Sequence, residues 1–111
     1  MKRKLKVTVG SDNIFADLGL PDAETLLLKS QIVSEIYRLV TERKLTQTAA
    51  GKKIGISQPE VSRLFRGHFD EYSVERLMDF LLRLGREVEI VVRPRKNTGK
   101  NNRIIFTAAH V

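Results

Sequence analysis

Apolar residues between positions 26 and 40 are separated by three, four or seven residues, the spacings that place side chains on one face of an α-helix. The repeating positions are Leu26, Val33, Ile36 and Val40. Pro21 precedes this pattern together with acids at positions 22 and 24, a combination that favours a first helical turn. The pattern predicts a long amphipathic helix that ends near Arg43, preceded by one helical turn from Ile14 to Leu18.

Helical spacing continues in shorter segments farther along the chain. Thr46 is a suitable N-cap for a helix that ends near Lys53. Ser73 is the corresponding residue of a helix that runs to Leu84 and stops at Gly85. The residues of this last helix that are expected to point inward are Val74, Leu77, Phe80, Leu81 and Leu84.

Between these two segments lies a helix with strong start and stop signals. Ser57 and Glu60 form a Ser-x-x-Glu capping box, and Pro59 fits the first turn, where its missing N–H has no partner to lose. The helix is expected to end near Arg66, because Gly67 suits a left-handed C-cap.

Beyond residue 86 the pattern changes to that of β-structure. Residues 87–93 are rich in β-branched side chains that alternate with charged ones, and Pro94 ends the run. Leu5, Val7 and Val9 alternate with polar residues, which predicts either a short strand or a loose basic arm. The predicted organisation is an arm or strand at 1–12, a helical domain at 13–86, a strand at 87–94 and a flexible basic tail at 95–111. Residues 103–106 of this tail are a candidate for a further, weakly paired strand.

The segment 47–66 carries the residues that two steeply packed helices need. A helix-turn-helix requires small residues where the helices touch and a turn residue that tolerates positive φ. Ala50 and Gly51 supply the close contact, and Gly55 supplies the turn. The branched residues expected to point inward are Ile54, Ile56, Val61 and Leu64. Together these positions predict a helix-turn-helix motif.

Positive charge is concentrated on this motif. The chain carries 20 Lys and Arg against 13 Asp and Glu, a net charge of +7. Residues 43–68 hold six basic groups and one acid, Glu60, whereas 7–42 and 69–92 are both net acidic. Residues 1–6 and 93–103 are basic without any acid. A positive stripe between acidic segments favours a polyanion partner, although a solvated surface has the same composition.

Composition argues against several functional classes. Without cysteine, a disulfide framework, a thiolate metal site and a thiol nucleophile are all excluded. His68 and His110 are the only imidazoles, so we expect no metal, no cofactor and no enzymatic activity. No apolar run approaches a membrane span, and the basic start lacks the apolar core of a signal peptide. We therefore expect a cytoplasmic protein and no membrane partner.

The amino-acid sequence of the motif resembles that of the Xre and phage-repressor family. The stretches that match the usual family sequence are Leu45-Thr46-Gln47 and Gly55-Ile56-Ser57-Gln58. Residues 13–94 as a whole are similar to small bacterial Xre proteins of the HigA antitoxin type. The resemblance implies a mainly α fold, a lambda-repressor-like bundle of four to five helices with a C-terminal β-strand for dimerisation. It also implies a cytoplasmic protein associated with the bacterial nucleoid. Ala49 departs from the family pattern, which has an acid there.

The second motif helix is then expected to enter the major groove of double-stranded DNA. The Gln58 amide suits adenine, and the Arg63 guanidinium suits guanine unless it pairs with Glu60. Pro59 and Ser62 share this face and complete the predicted base-contacting set.

A second group of residues is expected to contact phosphates. The resemblance implies that Gln47 contacts a phosphate and also braces the recognition helix. The other predicted backbone contacts are Lys44, Lys52, Lys53, Ser57 and Arg66. Lys52 and Lys53 cannot both face one surface, so at least one of them is expected to be solvated only.

A homodimer is expected because one short recognition helix makes too few base contacts for specificity. Strand 87–93 must pair with residues 5–9 or with its copy in a second chain. A dyad at Ile90 sets Glu87 opposite Arg93 and Val88 opposite Val92, both favourable pairs.

The sequence favours a repressor that occludes an operator as a dimer. The alternative is an antitoxin that binds a small basic ribonuclease toxin, since the acidic segment 7–42 suits such a partner. A toxin identity is disfavoured, because the motif leaves no room for a clustered acid–base set.

Overall fold

The computed structural model describes residues 13–94 and 104–109. Five α-helices make up the described part of the chain. They are α1 (Ile14–Asp17), α2 (Ala23–Glu42), α3 (Gln47–Ile54), α4 (Gln58–Phe65) and α5 (Val74–Arg83). The mainly helical prediction is confirmed, and each helix lies within a few residues of its predicted bounds.

The helices surround one core. Ile36 of α2 and Phe80 of α5 are almost completely buried in it. All the residues of α5 that were predicted to point inward are buried except Val74, which is half-buried. Glu35 is the one buried charged side chain of the described residues, and the Arg38 guanidinium pairs with it at 2.9 Å. The core therefore joins α2, α3, α4 and α5 into one unit, which gives α4 a rigid support.

Side-chain caps fix where most of the helices begin. Asn13 accepts from the amides of Phe15 and Ala16 at the start of α1. Thr46 accepts from Ala49 N, and Ser73 accepts from Arg76 N. The Thr46 cap lacks a reciprocal carboxylate because position 49 is alanine. Local hydrogen-bond chemistry thus explains the boundaries that the sequence predicts.

The turn between α3 and α4 is tight. Gly55 adopts a left-handed conformation with φ of 91°, as predicted, and its amide donates to Gly51 O at 2.7 Å. Gly51 itself is buried against the turn. A Cβ atom at this position would run into the carbonyl oxygen of Ile56 and approach Val61 Cγ2 to 3.3 Å. Position 51 therefore has no room for a side chain, which explains why glycine occurs there despite its low helix propensity.

The strand predicted at 87–93 is not formed in this single chain. Residues 86–94 and 104–109 have neither helical nor ladder hydrogen bonding. A lone strand has no partner for its backbone groups, and one candidate partner, residues 5–9, lies outside the described residues. Pairing with a second chain thus stays a prediction.

Residues 104–109 lie against the bundle, a contact that the sequence analysis did not predict. Phe106 packs on the core, and Arg86 Nη2 donates to the carbonyl oxygen of Ala109 at 2.8 Å. Part of the segment interpreted as a flexible tail is thereby anchored, because its one aromatic side chain finds apolar surface. None of the described helices is long and apolar enough to cross a membrane.

Candidate nucleic-acid interface

Helix α4 presents one face to the core and the opposite face to solvent. Val61 and Leu64 are fully buried, whereas Gln58, Pro59 and Arg63 are exposed. Ser57 accepts from Glu60 N, and Glu60 Oε1 accepts from Ser57 N at 2.8 Å, so the predicted capping box is formed. The residues of α4 that are predicted to contact bases thus lie on its solvent-accessible side.

Gln47 braces the start of α4, as the resemblance implied. Gln58 Nε2 donates to Gln47 Oε1 at 2.7 Å, joining the first residues of the two motif helices. The Gln58 oxygen and its second N–H keep the pattern that an adenine edge requires. The bond fixes the orientation of the Gln58 amide before any ligand arrives.

Arg63 is available for a ligand. The alternative in which it pairs with Glu60 is not realised, since no ion pair joins them in the described part of the chain. The Glu60 carboxylate is held instead by Ser57, and this hydrogen bonding lowers the pKa of Glu60 below its ordinary value, with smaller contributions from Arg63 and Arg76. Among the described residues, the capping box thereby leaves the guanidinium of Arg63 without an ion-pair partner.

Other predicted residues surround this face. Arg66 Nη1 donates to Ser62 Oγ at 2.9 Å, so these two side chains form one polar group at the end of α4. The lysines predicted to contact phosphates are all exposed: Lys44, Lys52 and Lys53. Hydrogen bonds thus join Gln47 to Gln58 and Ser62 to Arg66 beside the exposed Arg63, whereas the three lysines share only their exposure to solvent.

Two aromatic residues, at the end of α4 and just beyond it, pack toward the bundle and do not join this surface. Phe65 is half-buried, and its ring meets the Tyr37 ring edge-on at 5.1 Å between centroids. Phe69 also packs against the core. These contacts identify both phenylalanines as packing residues.

Arg76 of α5 is an exposed basic residue outside the predicted set of DNA-contacting residues. Its guanidinium lies over the Tyr72 ring at 5.3 Å and near the Phe80 ring at 5.6 Å. The stacking depends on a ring four residues earlier in a loop, so helical periodicity alone does not reveal it.

The described residues contain no group of three or more side chains suited to hold a metal ion. The chemistry of this surface therefore rests on amides, hydroxyls and cations. Such groups suit the recognition of base edges and phosphates.

Comparison with known proteins agrees with this geometry. A family described as a helix-turn-helix domain matches residues 14–93. A solved structure whose name places it among XRE family transcriptional regulators is 37% identical to the chain, with a TM-score of 0.74. The match covers 80% of this chain and 100% of that chain. Comparison with curated proteins gave no match.

Proposed function

Since the chain belongs to the helix-turn-helix family of XRE transcriptional regulators, we propose that it is a repressor that binds a palindromic operator as a dimer. The observation that carries the proposal is the exposure of Gln58 and Arg63 on α4, whose opposite face is locked into the core. In this mechanism α4 lies in the major groove and the bound dimer blocks access to the promoter.

The contacts divide into two kinds. Gln58 and Arg63, with Pro59 and Ser62, read base edges and so determine sequence preference. Gln47, Ser57 and the exposed cations of the motif bind phosphates and set affinity without sequence preference. The other residues of this second kind are Lys44, Lys52, Lys53 and Arg66. We expect no catalysis, because occlusion requires only binding.

Selection from a library of random duplexes tests the proposal. The full chain should enrich a palindromic sequence with half-sites about one helical turn apart. Arg63→Ala should weaken binding to the enriched duplex by about 1–3 kcal/mol and weaken binding to random duplexes less, because a base contact is lost. Gel-shift competition measures both affinities.

Arg83→Ala is the matched control. Arg83 also carries an exposed guanidinium, but it lies on α5 and pairs with Asp79 at 2.7 Å. The Arg83→Ala protein should bind the enriched duplex with the same affinity as the wild-type protein. Unchanged affinity of Arg63→Ala for both kinds of DNA would contradict the role assigned to Arg63.

The dimer is supported by apolar residues that the single chain leaves exposed. Ile90 is 75% exposed and Val92 is 90% exposed. Both residues belong to the segment 87–93. If two copies of this segment pair antiparallel about a dyad at Ile90, Glu87 of one chain lies opposite Arg93 of the other, and Val88 lies opposite Val92. Antiparallel pairing of two copies satisfies both the apolar side chains and the backbone groups.

A second candidate function, toxin neutralisation, is favoured by a different surface. Ile14 of α1 and Leu18, which follows α1, are 59% and 67% exposed, beside the acid Asp17. A neighbouring groove is lined by Phe15, Leu20 and Asp22 among others. Exposed apolar side chains with acidic neighbours suit a small basic protein.

Co-purification from the native host tests this second function. An antitoxin should bring down a small basic partner, and Leu18→Arg should release that partner while DNA binding persists. Recovery of the chain free of any stoichiometric partner would leave the repressor alone as its function.

A further inference from the structure

The side chains of Ser62 and Arg66 form a hydrogen-bonded pair at the end of α4. Arg66 Nη1 donates to Ser62 Oγ at 2.9 Å. The C-cap fixes the backbone of Arg66, since its amide donates to Arg63 O at 3.0 Å and Gly67 follows with φ of 99°. Long side chains on a helix point toward its N-terminus, and this is the direction in which Arg66 reaches Ser62. The pair is therefore a product of helical spacing and of the local cap.

The pair lies on the outward side of α4. Val61 and Leu64 are fully buried and mark the side that faces the core. At about 100° per residue, Ser62 lies about 130° and Arg66 about 170° from the middle of that buried side. Arg66 is exposed and Ser62 is half-buried. Both side chains therefore belong to the side of α4 that is predicted to face the major groove.

The hydroxyl of Ser62 keeps its own proton for a further acceptor. A helical serine can donate to a backbone carbonyl three or four residues earlier. Ser30 of α2 does so, with its Oγ 2.7 Å from Leu27 O. Within residues 13–94 and 104–109, Ser62 Oγ accepts from Arg66 and donates to no group. The O–H of Ser62 is therefore available to a ligand.

Arg66 makes this hydroxyl a better donor than acceptor. A serine oxygen has one proton to donate and two lone pairs that accept. The guanidinium occupies one lone pair, and its hydrogen bond polarises the O–H, which strengthens donation. No acid forms an ion pair with Arg66 in the described part of the chain, so a second donor that approached the oxygen would meet an unneutralised positive charge.

The four bases differ in what they offer to such a donor. In the major groove guanine presents N7 and O6 as acceptors, adenine presents N7 and thymine presents O4. Cytosine presents only its N4 amino group, which is a donor. A hydroxyl that donates therefore finds a partner on every base except cytosine.

We propose that Ser62, oriented by Arg66, donates to an acceptor on a base edge and discriminates against cytosine at that position. The inference rests on the proposed DNA-binding function and names the chemical group that Ser62 reads. Arg66 keeps its other N–H donors for a phosphate and acts on the base only through Ser62, as a positioning residue.

Affinities for single-base variants of the enriched duplex test the proposal. Each position of one half-site is changed to each other base, and gel-shift competition of the full chain measures the affinity. At one position the wild-type protein should discriminate against cytosine by about 5-fold, the effect of one hydrogen bond, and Ser62→Ala should remove this preference. Discrimination at the other positions should stay as in the wild type.

Two variants of Arg66 test the positioning. Arg66→Ala should weaken binding to every duplex, because a phosphate contact is lost, and should also remove most of the discrimination at the position read by Ser62. Arg66→Lys keeps a cation that can donate to Ser62 and should retain most of that discrimination. The position at which Arg63→Ala changes the base preference is the internal control, and discrimination there should be the same in all these variants. Thermal unfolding of each variant establishes that it is folded.

Four results would overturn the inference. Full discrimination by Ser62→Ala at every position would show that Ser62 reads no base, and a wild-type preference for cytosine at its position would show that the hydroxyl accepts. Unchanged discrimination in Arg66→Ala would leave Arg66 as a phosphate contact alone, whereas a loss that extends to the Arg63 position would assign the effect to a displaced helix. A wild-type chain that enriches no sequence would instead contradict the proposed function itself.

Discussion

Gly51 shows how one missing side chain sets the distance between the motif helices. The carbonyl oxygen of Ile56 occupies the space that a Cβ would need. The same turn is held by hydrogen bonds from the amides of Gly55 and Ile56 to Gly51 O. The turn backbone is thereby packed directly on α3, which fixes where α4 begins.

Gly51→Ala should consequently destabilise the protein. Alanine gains about 1 kcal/mol of helix propensity over glycine, but displacing the turn costs about 1–3 kcal/mol, as in other overpacked cores. We expect a net decrease in the free energy of unfolding, measured by urea denaturation. Thr48→Ala, at an exposed position of α3, should change it by less than about 0.5 kcal/mol. A more stable Gly51→Ala protein would show that the turn relaxes freely.

For single residues, the sequence predicts which side chains are exposed better than it predicts which side chains interact with each other. The exposure of Gln58 and Arg63 follows from their positions opposite Val61 and Leu64 on a helix. The Arg76 stacking depends on Tyr72 folding back from a loop, and the free state of Arg63 depends on Ser57 holding Glu60. Which of several nearby side chains interact depends on the folded structure, so the spacing of residues along the sequence does not decide it.

Among the elements, α4 is only eight residues long, so its end groups matter for its stability. Its capping box satisfies one backbone donor at each of Ser57 and Glu60. The acid at the third position also interacts favourably with the helix dipole. The start of α3 has only the Thr46 half of this arrangement.

Glu60→Gln should reveal the contribution of this charge through its pH dependence. The pKa of Glu60 is lowered in the folded protein, so ionised Glu60 stabilises the fold above its ordinary pKa of 4.5. This stabilisation disappears as pH falls through the lower folded-state pKa. Wild type should therefore be more stable than Glu60→Gln at neutral pH, and the difference should vanish in acid.

Chemical denaturation of both proteins across this pH range measures the difference. Glu75→Gln, which removes the charge of an acid in the first turn of α5, is the matched control for charge loss alone. A wild-type advantage that persists unchanged below the carboxyl pKa would contradict the role of the Glu60 charge.

Helices were predictable here because their signals are local. Caps at Thr46, Ser57 and Ser73 lie within three residues of the donors that they satisfy. A strand depends on a partner that is distant in the chain or belongs to another chain, so the alternation at 87–93 indicates a tendency and not a pairing. The anchoring of Phe106 is equally non-local, since it depends on apolar surface built by other segments.

For the whole molecule, DNA recognition and dimerisation are assigned to different parts of the chain. The residues predicted to bind DNA surround α4, whereas the exposed apolar residues at 88–92 follow α5. Separation of the two parts means that the proposed dimer can be disrupted without altering the recognition helix. The dimer would then set the spacing of the two copies of α4 on an operator.

Ile90→Glu should convert the dimer to a monomer. Two carboxylates would meet across the dyad, where like charges oppose strand pairing. Sedimentation at micromolar concentration measures the association state. We expect operator affinity to fall with loss of the dimer, while affinity for a single half-site stays the same.

Leu82→Glu provides the control, because Leu82 is an exposed apolar residue of α5 outside the predicted strand. It should remain dimeric. A wild-type chain that sediments as a monomer at micromolar concentration would contradict the dimer.

An NMR titration of the backbone amides with the enriched duplex tests most directly whether α4 binds DNA. The largest chemical-shift changes should fall on residues 57–66 and on the start of α3 near Gln47. Residues 23–30 of α2 should change little. Changes centred on α1 and the first turns of α2, with residues 57–66 unaffected, would contradict DNA recognition by α4.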